Sequence, residues 1–275
     1  MNILQRRPAP PLDRFVDSLW VCHNEPAPRT FERVLPTGAP QLVVNLAEDE
    51  TRVYREAQHG LICVTGPGSI LSGVTSHAQI IDTDEQAYVA GIAFRPGGTV
   101  PFIAHPAHEL TDADVSLDTV WGHPTTKRVR ERLLGARSPA AALDVLERLL
   151  WDVWRDRGSH PAVAYALDQF QARPSVARVA AVTASVGLSE RRFIERFRSE
   201  VGVTPKRYCR LLRFQHVVAA AHTLRDADWA DVASSCGYAD QAHLIHEFRE
   251  FSGMTPRAYE HGKTAFQNHV SFLQS

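Results

Sequence analysis

The C-terminal half of the chain contains an internal repeat, and this repeat limits the folds open to the chain more than any other feature. The segment Gly187–Tyr208 aligns with the segment Gly237–Tyr259. The offset is 50 residues at the two glycines and 51 residues from the following helix onwards, as it is between Phe197 and Phe248. The same structural unit is therefore predicted twice, with one extra residue in the turn of the second copy.

Each copy has the pattern of a helix-turn-helix unit. A short helical pattern precedes each turn glycine, Gly187 or Gly237, and an N-cap residue, Ser189 or Asp240, follows it. Glycine accepts the positive φ that tight turns need, and Ser and Asp side chains cap helix N termini. In DNA-binding proteins the second helix of such a unit enters the major groove. We predict two recognition helices, at about residues 190–200 and 241–251.

A Thr-Pro pair ends each copy, at Thr204-Pro205 and Thr255-Pro256, and restarts a helix with an N-cap and a proline at its first position. The helix that starts at Pro205 is predicted to run to Leu224. Up to Thr223 it would span ~28 Å. A rod of this length can hold two recognition helices close to one turn of B-DNA apart, ~34 Å.

Helical periodicity separates a buried from an exposed face in both recognition helices. Phe193 and Phe197 mark the buried face of the first helix, and Leu244 and Phe248 mark that of the second. The exposed faces are predicted to carry Arg191, Arg192, Glu195 and Arg198 in the first helix, and Gln241, Ala242, His243, His246 and Arg249 in the second.

The N-terminal half has a different pattern, with short runs rich in Val, Ile and aromatic residues separated by turn clusters. Such spacing is typical of an antiparallel barrel or sandwich. The predicted fold class is α+β, with an N-terminal antiparallel β-barrel-like (cupin-like) domain that also has helices, and a C-terminal all-α domain with two helix-turn-helix units joined by a long helix. The predicted strands are Leu19–His23, Phe31–Leu35, Gln41–Leu46, Arg52–Arg55, Leu61–Val64, Ser76–Ile81 and Tyr88–Phe94.

A helix is predicted over residues 139–157, with Leu143, Leu146 and Leu150 on one apolar stripe. The stripe must be buried, either against the barrel of the same chain or against a second copy. Both alternatives remain open, so a homodimer through this helix is one hypothesis.

The turn-rich segment Arg157–Pro161 is the predicted domain boundary. The predicted domains are residues 1–158 for effector sensing or dimerisation, residues 159–264 for DNA binding, and residues 265–275 as a C-terminal tail. Further helices are predicted at Ala162–Gln171, Val176–Ser185, Trp229–Ser235 and Pro256–Gly262. Residues 160–275 carry 14 Lys and Arg against 11 Asp and Glu, whereas residues 1–159 carry 16 against 20.

Several function classes lack sequence support. The four cysteines lie far apart, without zinc-ligand spacing, which predicts a reducing interior, no disulfide scaffold and no metal site. No apolar run reaches the ~18–20 residues of a membrane span, and no signal-peptide or serine-hydrolase motif is found. We therefore expect a cytoplasmic protein without membrane attachment, cofactor or catalytic residues.

The repeat resembles the DNA-binding domain of the AraC/XylS family of transcriptional regulators. The resemblance rests on Gly187-Leu-Ser, Phe197-Arg, Gly202-Val-Thr-Pro and Tyr208, and on their counterparts Gly237-Tyr-x-Asp-Gln, Phe248-Arg, Gly253-Met-Thr-Pro and Tyr259. The N-terminal runs Leu35-Pro-Thr-Gly, Leu42-Val-Val-Asn-Leu, Phe94-Arg-Pro-Gly-Gly and Glu109-Leu-Thr-Asp are similar to poorly characterised domains attached to some family members.

The resemblance implies a sequence-specific transcription regulator that binds double-stranded promoter or operator DNA and responds to a small-molecule effector at its N-terminal domain. RNA polymerase is a further candidate partner, and no effector-binding residue is predicted. The family often has Arg where Glu195 and His246 stand. The residues expected to face bases are Arg191, Arg192, Glu195, Gln241, His243 and His246, and those expected to contact phosphates are Arg196, Arg198, Lys206, Arg207 and Arg249.

Two alternatives from other classes remain. One is a cupin-like enzyme with an accessory helical domain. The other is a non-specific architectural or partner-binding protein, for which acidic residues expected on the recognition-helix surfaces, Glu195 and Glu247, are the hint.

Overall fold

Two antiparallel sheets make up the N-terminal half, which confirms the β part of the α+β prediction. The computed structural model describes residues 2–24, 30–58, 60–84, 87–175, 179–223 and 228–272. Within them, one sheet has the strand order β1-β2-β9-β4-β7-β10 and the other has the order β11-β3-β8-β5-β6. The strands are β1 Ile3–Arg6, β2 Val16–His23, β3 Phe31–Val34, β4 Gln41–Asn45, β5 Glu50–Ala57, β6 Gly60–Pro67, β7 Ser69–Ser72, β8 Gln79–Asp82, β9 Tyr88–Phe94, β10 Asp114–Ser116 and β11 His269–Phe272.

The C-terminal half is helical, as predicted, and further helices precede it in the chain, after the strands of the N-terminal half. Residues 176–178 and 224, which belong to two predicted helices, lie outside the described residues. The helices are α1 Leu117–Trp121, α2 His123–Leu134, α3 Pro139–Asp152, α4 Pro161–Ala172, α5 Val179–Ser185, α6 Glu190–Val201, α7 Pro205–Thr223, α8 Trp229–Ser235, α9 Gln241–Ser252 and α10 Pro256–Gly262.

The first sheet is buried on the side that faces α1 to α3. Successive side chains of a strand point to opposite faces, and in β4 the side chains of Leu42 and Val44 are fully buried in the core shared with these helices. The intervening Val43 points to the other face of the sheet, toward the second sheet. The sheet therefore has one face in a helix-packed core and one face turned inward.

The apolar stripe of α3 is buried within the chain. The helix begins at its predicted N-cap, Ser138, whose side chain accepts a hydrogen bond from the backbone N–H of Ala141 at 3.2 Å. Leu143, Leu146 and Leu150 are at most 2% exposed and pack in the core with the first sheet. Of the two alternatives left open by the sequence, packing on the same chain is the one observed, and this stripe is not available for a dimer.

Every N-cap predicted for the two helix-turn-helix units is confirmed. The side chains of Ser189, Thr204, Asp240 and Thr255 each accept a hydrogen bond from a backbone N–H of the first turn of the following helix. The two turn glycines adopt φ of 68° and 78°. At the second of them, Gly237, a Cβ would lie 2.4 Å from the carbonyl oxygen of Ser175, so only glycine fits.

A buried charge network fixes α9 against the connecting helix α7. The Glu247 side chain is 3% exposed and accepts hydrogen bonds from Arg210 Nε at 2.7 Å and Tyr238 Oη at 2.9 Å, with Arg213 at 3.6 Å. Arg210 also pairs with Glu250 and holds the pKa of that carboxyl below its usual value, mainly by hydrogen bonding. The prediction that Glu247 lies on the helix surface is therefore wrong, because arginines of α7 neutralise it inside the core.

Strands β1, β7, β10 and β11 were not predicted. The most consequential is β11, because it lies in the segment predicted to be a tail after the helical domain. It pairs antiparallel with β3, with His269 opposite Val34 and Phe272 opposite Phe31. Residues 273–275 lie outside the described residues. The chain therefore returns to the N-terminal sheets after the last helix.

The predicted domain boundary is held by a buried carboxylate. Glu200, near the end of α6, accepts a hydrogen bond from the backbone N–H of His160 at 3.0 Å. Its side chain is 9% exposed, and the nearest guanidinium nitrogen of Arg196 lies at 4.0 Å. Burial raises the pKa of Glu200, although this hydrogen bond and the nearby Arg196 lower it. The segment that joins the halves is thus hydrogen-bonded to a carboxyl group of α6 whose charged form is costly to bury.

We predict that Glu247→Ala destabilises the protein by about 1–3 kcal/mol, because the partly buried Arg210 and Arg213 lose a shared carboxylate and the buried Tyr238 Oη loses its acceptor. Equilibrium urea unfolding followed by circular dichroism measures this change. Glu195→Ala is the matched control, since Glu195 is exposed and pairs with Arg191 on the helix surface; it should change stability little. Equal losses in the two variants would contradict the buried network.

We predict that Glu200→Gln stabilises the protein more at neutral pH than near pH 4.5, the ordinary pKa of the group. A carboxyl whose pKa is raised on folding contributes fully to stability below its ordinary pKa, and this contribution is lost as the pH rises through the raised value. Glutamine stays uncharged and keeps an oxygen acceptor for His160. Unfolding of both proteins at several pH values measures the difference, which should grow with pH; a pH-independent difference would refute the assignment.

Candidate nucleic-acid interface

The first recognition helix, α6, has one buried aromatic face and one exposed charged face. Phe193 and Phe197 are fully buried in the helical core. Arg191, Arg192 and Glu195, which were predicted to face bases, are all exposed. The described structure therefore places the three residues on the accessible side of the helix.

Two of these residues form an ion pair on the helix surface. Arg191 Nε lies 3.0 Å from Glu195 Oε1, and their side chains are 89% and 62% exposed. A pair four residues apart on a helix is worth only ~0.3–0.5 kcal/mol, so it is easily exchanged for contacts to a ligand. The pair orients the guanidinium along the helix and partly neutralises it.

The second recognition helix, α9, repeats this arrangement with different chemistry. Leu244 and Phe248 are buried, whereas Gln241, His243 and His246 are exposed. The His243 ring meets the edge of the Tyr238 ring, with centroids 5.2 Å apart. The exposed face of α9 offers amide and imidazole groups where α6 offers charged groups. Two units of the same build thus present different hydrogen-bonding surfaces.

The candidate phosphate contacts differ in their accessibility. The side chains of Arg198, Lys206 and Arg249 are exposed, and so is that of Arg196, which lies 4.0 Å from Glu200. These four cations flank the exposed faces of α6 and α9 on the same or the adjoining helix.

Arg207, which was also predicted to contact phosphates, has its side chain turned to the N-terminal half. Its Nε donates a hydrogen bond to Ser76 Oγ of the N-terminal half at 2.9 Å, and its guanidinium lies over the Phe251 ring, 5.7 Å from the centroid. Glu250 is 4.0 Å away. In this arrangement the side chain is engaged in the contact between the two halves and not in a surface facing phosphates.

The N-terminal half contacts the carboxyl ends of both recognition helices. The last carbonyl groups of a helix lack partners within the helix. Here Thr111 Oγ1 donates to the carbonyl of Gly202 at 2.7 Å, just after α6. At the end of α9, the N–H of Ala78 donates to the carbonyl of Phe251 at 2.9 Å, and Arg33 Nη1 donates to that of Ser252 at 3.1 Å. The amino-terminal turns, which carry Arg191 and Gln241, are left exposed.

A second candidate site is a cavity of about 300 Å³ between the two sheets. Its walls are side chains that point away from the helix-packed core. On β2, Leu19 and Val21 are buried in that core, whereas the alternate residues Trp20 and Cys22 line the cavity. Trp20 lies against β9 at Gly91, where a Cβ would come within 2.3 Å of its ring. The cavity thus follows from strand alternation together with one glycine.

The charged groups of the cavity wall have partners within the protein. Arg52 pairs with Glu48 at 2.7 Å and with Asp82 at 3.3 Å. Asp114 accepts hydrogen bonds from Ser72 and from Gln79. The rest of the wall combines aliphatic and aromatic side chains, among them Val43, Val53, Ile70, Ile81 and Val89, with amide and hydroxyl side chains.

No residue of this cavity was predicted to bind an effector. Among the described residues, the members of the C-terminal half that line it are Phe266 and His269. The strand residues could have been found from the alternation along β2 and β4. The two C-terminal residues could not, because nothing in the sequence of a short terminal segment specifies which sheet edge it joins.

None of the helices in the described part of the chain is long and apolar enough to cross a membrane. The same residues contain no group of three or more His, Cys, Asp or Glu side chains placed to hold a metal ion.

Two family models match the chain. Residues 4–116 match a domain of unknown function, DUF6597, and residues 182–262 match a helix-turn-helix domain. The first match covers β1 to β10, and the second runs from within α5 to the end of α10.

A curated relative is the HTH-type transcriptional activator RhaS of Escherichia fergusonii, 36% identical over 87 residues. The match covers 31% of this chain and 30% of the relative, so the chain spans less than a third of the length of that protein.

Two solved structures show a weaker likeness. The DNA-binding domain of the global transcriptional factor AdpA, in complex with a target DNA, is 25% identical with a TM-score of 0.34, and the match covers 37% of this chain and 92% of that one. ToxT from Vibrio cholerae O395 is 9% identical with a TM-score of 0.45, and the match covers 95% and 99% of the two chains.

The repeat, its caps and the family match agree on one conclusion. Residues 182–262 of this chain form a helix-turn-helix domain.

Proposed function

We propose that the chain is a sequence-specific DNA-binding transcription regulator, which places α6 and α9 in successive major grooves of duplex DNA. The observation that carries the proposal is the pair of equally built, equally capped recognition helices whose exposed faces are polar and differ from each other. A non-specific binder needs only phosphate contacts, whereas two different hydrogen-bonding faces suit the reading of two different base sequences.

The proposed base contacts follow the chemistry of each side chain. Arg191 and Arg192 suit the O6 and N7 acceptors of guanine, Gln241 suits adenine, and Glu195 accepts from the amino group of cytosine. His243 and His246 complete the surface of α9. Arg196, Arg198, Lys206 and Arg249 are the proposed phosphate contacts; Arg207 would join them only if its contact with Ser76 opens.

The proposal assigns residues 159–264 to DNA binding and residues 1–158 to the sensing of a small-molecule effector, with no catalytic role. The cavity between the sheets supports a sensing role, because it is of a size that small-molecule sites have and its wall combines apolar side chains with polar groups. The relative RhaS is described as a transcriptional activator. Because of this likeness to an activator, RNA polymerase is also a proposed partner of this chain.

The proposal is tested by selecting binding sites from random duplex DNA with the full-length protein. We expect a motif with two half-elements about one helical turn apart. Recovery of no preferred sequence, with all binding lost at moderate salt, would contradict it.

We predict that Arg191→Ala lowers affinity for the selected duplex by about 1–3 kcal/mol, which is about 5- to 150-fold, and relaxes the base preference at one position. Fluorescence anisotropy on single-base variants of the duplex measures both effects. Arg148→Ala is the control, because Arg148 is an exposed arginine of α3 in the N-terminal half. An unchanged base preference in Arg191→Ala would remove this residue from the reading surface.

We predict that Lys206→Ala weakens binding about equally on all duplexes and lowers the slope of log affinity against log salt by about one, because one phosphate contact is lost. Lys127→Ala is the matched control, since Lys127 is an exposed lysine of α2. A titration with monovalent salt measures the slopes. If Lys206→Ala keeps the slope of the parent protein, Lys206 does not contact phosphate.

A further inference from the structure

Strand β11 belongs to both halves of the molecule at once. Because neighbouring side chains of a strand point to opposite sides, His269 lines the cavity between the sheets, whereas Val270 is 1% exposed and packs in the helical core. His269 Nδ1 also lies 2.7 Å from Glu32 Oε2 on β3. A displacement of this strand would therefore change both the wall of the cavity and the packing of the helical core.

The segment 263–268, which leads into β11, is hydrogen-bonded to α10 and to the connecting helix α7. Tyr259 Oη of α10 donates to the carbonyl of Gln267 at 2.9 Å. Lys263 Nζ donates to the carbonyl of Ala221, near the end of α7, at 2.7 Å. These bonds connect the segment to the long helix that separates the two helix-turn-helix units.

Gln215 of α7 is hydrogen-bonded both to the N-terminal half and to the segment that leads into β11. Its Nε2 donates to the carbonyl of Pro36 in the N-terminal half at 2.8 Å and to Asn268 Oδ1 at 3.0 Å. The backbone N–H of Leu35 donates to the carbonyl of Asn268 at 2.8 Å, and Leu35 itself lines the cavity. One side chain of the connecting helix thus holds both the cavity wall and the start of β11.

The cavity wall also defines the chemistry of a ligand. The cationic or basic side chains of the wall already lie against carboxylates, since Arg52 pairs with Glu48 and Asp82 and His269 lies 2.7 Å from Glu32, so an anionic ligand would compete with these carboxylates. Asp114 accepts hydrogen bonds from Ser72 and Gln79. The remaining wall exposes mainly apolar surface, together with uncharged amide and hydroxyl groups such as those of Gln41 and Thr37. These features suit an uncharged molecule with a largely apolar body, and the volume is near the lower end of the range for small-molecule sites, ~300–1,000 Å³.

We propose that the cavity binds a small, uncharged, largely apolar molecule, and that its occupancy reaches the recognition helices through segment 263–272 and Gln215. The inference rests on the proposed regulatory function and specifies both the ligand class and the route. A ligand shifts an equilibrium only through contacts that differ between two states, and Phe266 and His269 are the described residues of the C-terminal half that a ligand in the cavity would touch.

The test uses the full-length protein and N-phenyl-1-naphthylamine, an uncharged aromatic probe whose fluorescence rises in apolar surroundings. We expect saturable binding that is lost in Val43→Phe, which fills the cavity from β4. Ile81→Phe fills it from β8 and serves as a second variant if the first does not fold. Absence of binding, or binding that survives in the folded filled variants, would overturn the proposed ligand class and site.

Transmission is measured in two ways. Amide hydrogen exchange of residues 263–272 should slow when the probe binds, and affinity for the selected duplex should change by about fivefold or more, the lower end of measured couplings. Gln215→Ala should bind the probe within about twofold of the parent protein yet show a change in DNA affinity below about twofold. His216→Ala is the control on the same helix, because His216 is exposed; it should keep the full change.

The two proposals can fail separately. Full coupling in Gln215→Ala, or probe binding without slowed exchange in residues 263–272, would overturn the proposed route while leaving DNA binding intact. If no duplex is selected but exchange still slows on probe binding, the DNA-binding function fails and the link between cavity and C-terminal segment stands.

Discussion

The contact between the N-terminal half and the carboxyl ends of the two recognition helices is the constraint on which the arrangement of this molecule depends. Carbonyl groups at helix ends need donors, and Thr111, Ala78 and Arg33 supply them. Because both helices are held at the same end, both amino-terminal turns stay exposed. The N-terminal half therefore helps to set the relation between the exposed faces of α6 and α9.

Rigidity within the C-terminal half comes from aromatic packing and from one buried charge. Phe197 packs against Phe170 and Tyr208, while Glu247 joins α9 to two arginines of α7. Hydrophobic packing is tolerant of small shifts, whereas a buried ion pair is costly to leave incomplete. A displacement of α9 would therefore separate this ion pair as well as disturb the packing of Phe248 against Phe214.

The cavity and β11 connect this helical half to the sheets. In the first sheet the alternation along each strand sends Leu42 and Val44 to the helix-packed core and Val43 to the cavity. In β11 the same alternation divides His269 and Val270 between the cavity and the helical core. Because one face of β11 lines the cavity and the other packs in the helical core, a displacement of β11 would change both regions. This is the physical basis of the proposed transmission.

The sequence by itself determined the features that depend on neighbours along the chain. The caps Ser189 and Asp240, the turn glycines and the buried Phe193 follow from local backbone chemistry and helical periodicity, and the structure has them where they were predicted. Only the tertiary structure decided the features that depend on distant partners. Glu247 is buried because arginines 37 and 34 residues earlier in the chain neutralise it, Arg207 turns to Ser76, and β11 pairs with a strand more than 230 residues away. Their local sequence is equally compatible with an exposed helix or a free tail, since charge neutralisation and strand pairing are contacts between remote segments that no short pattern encodes.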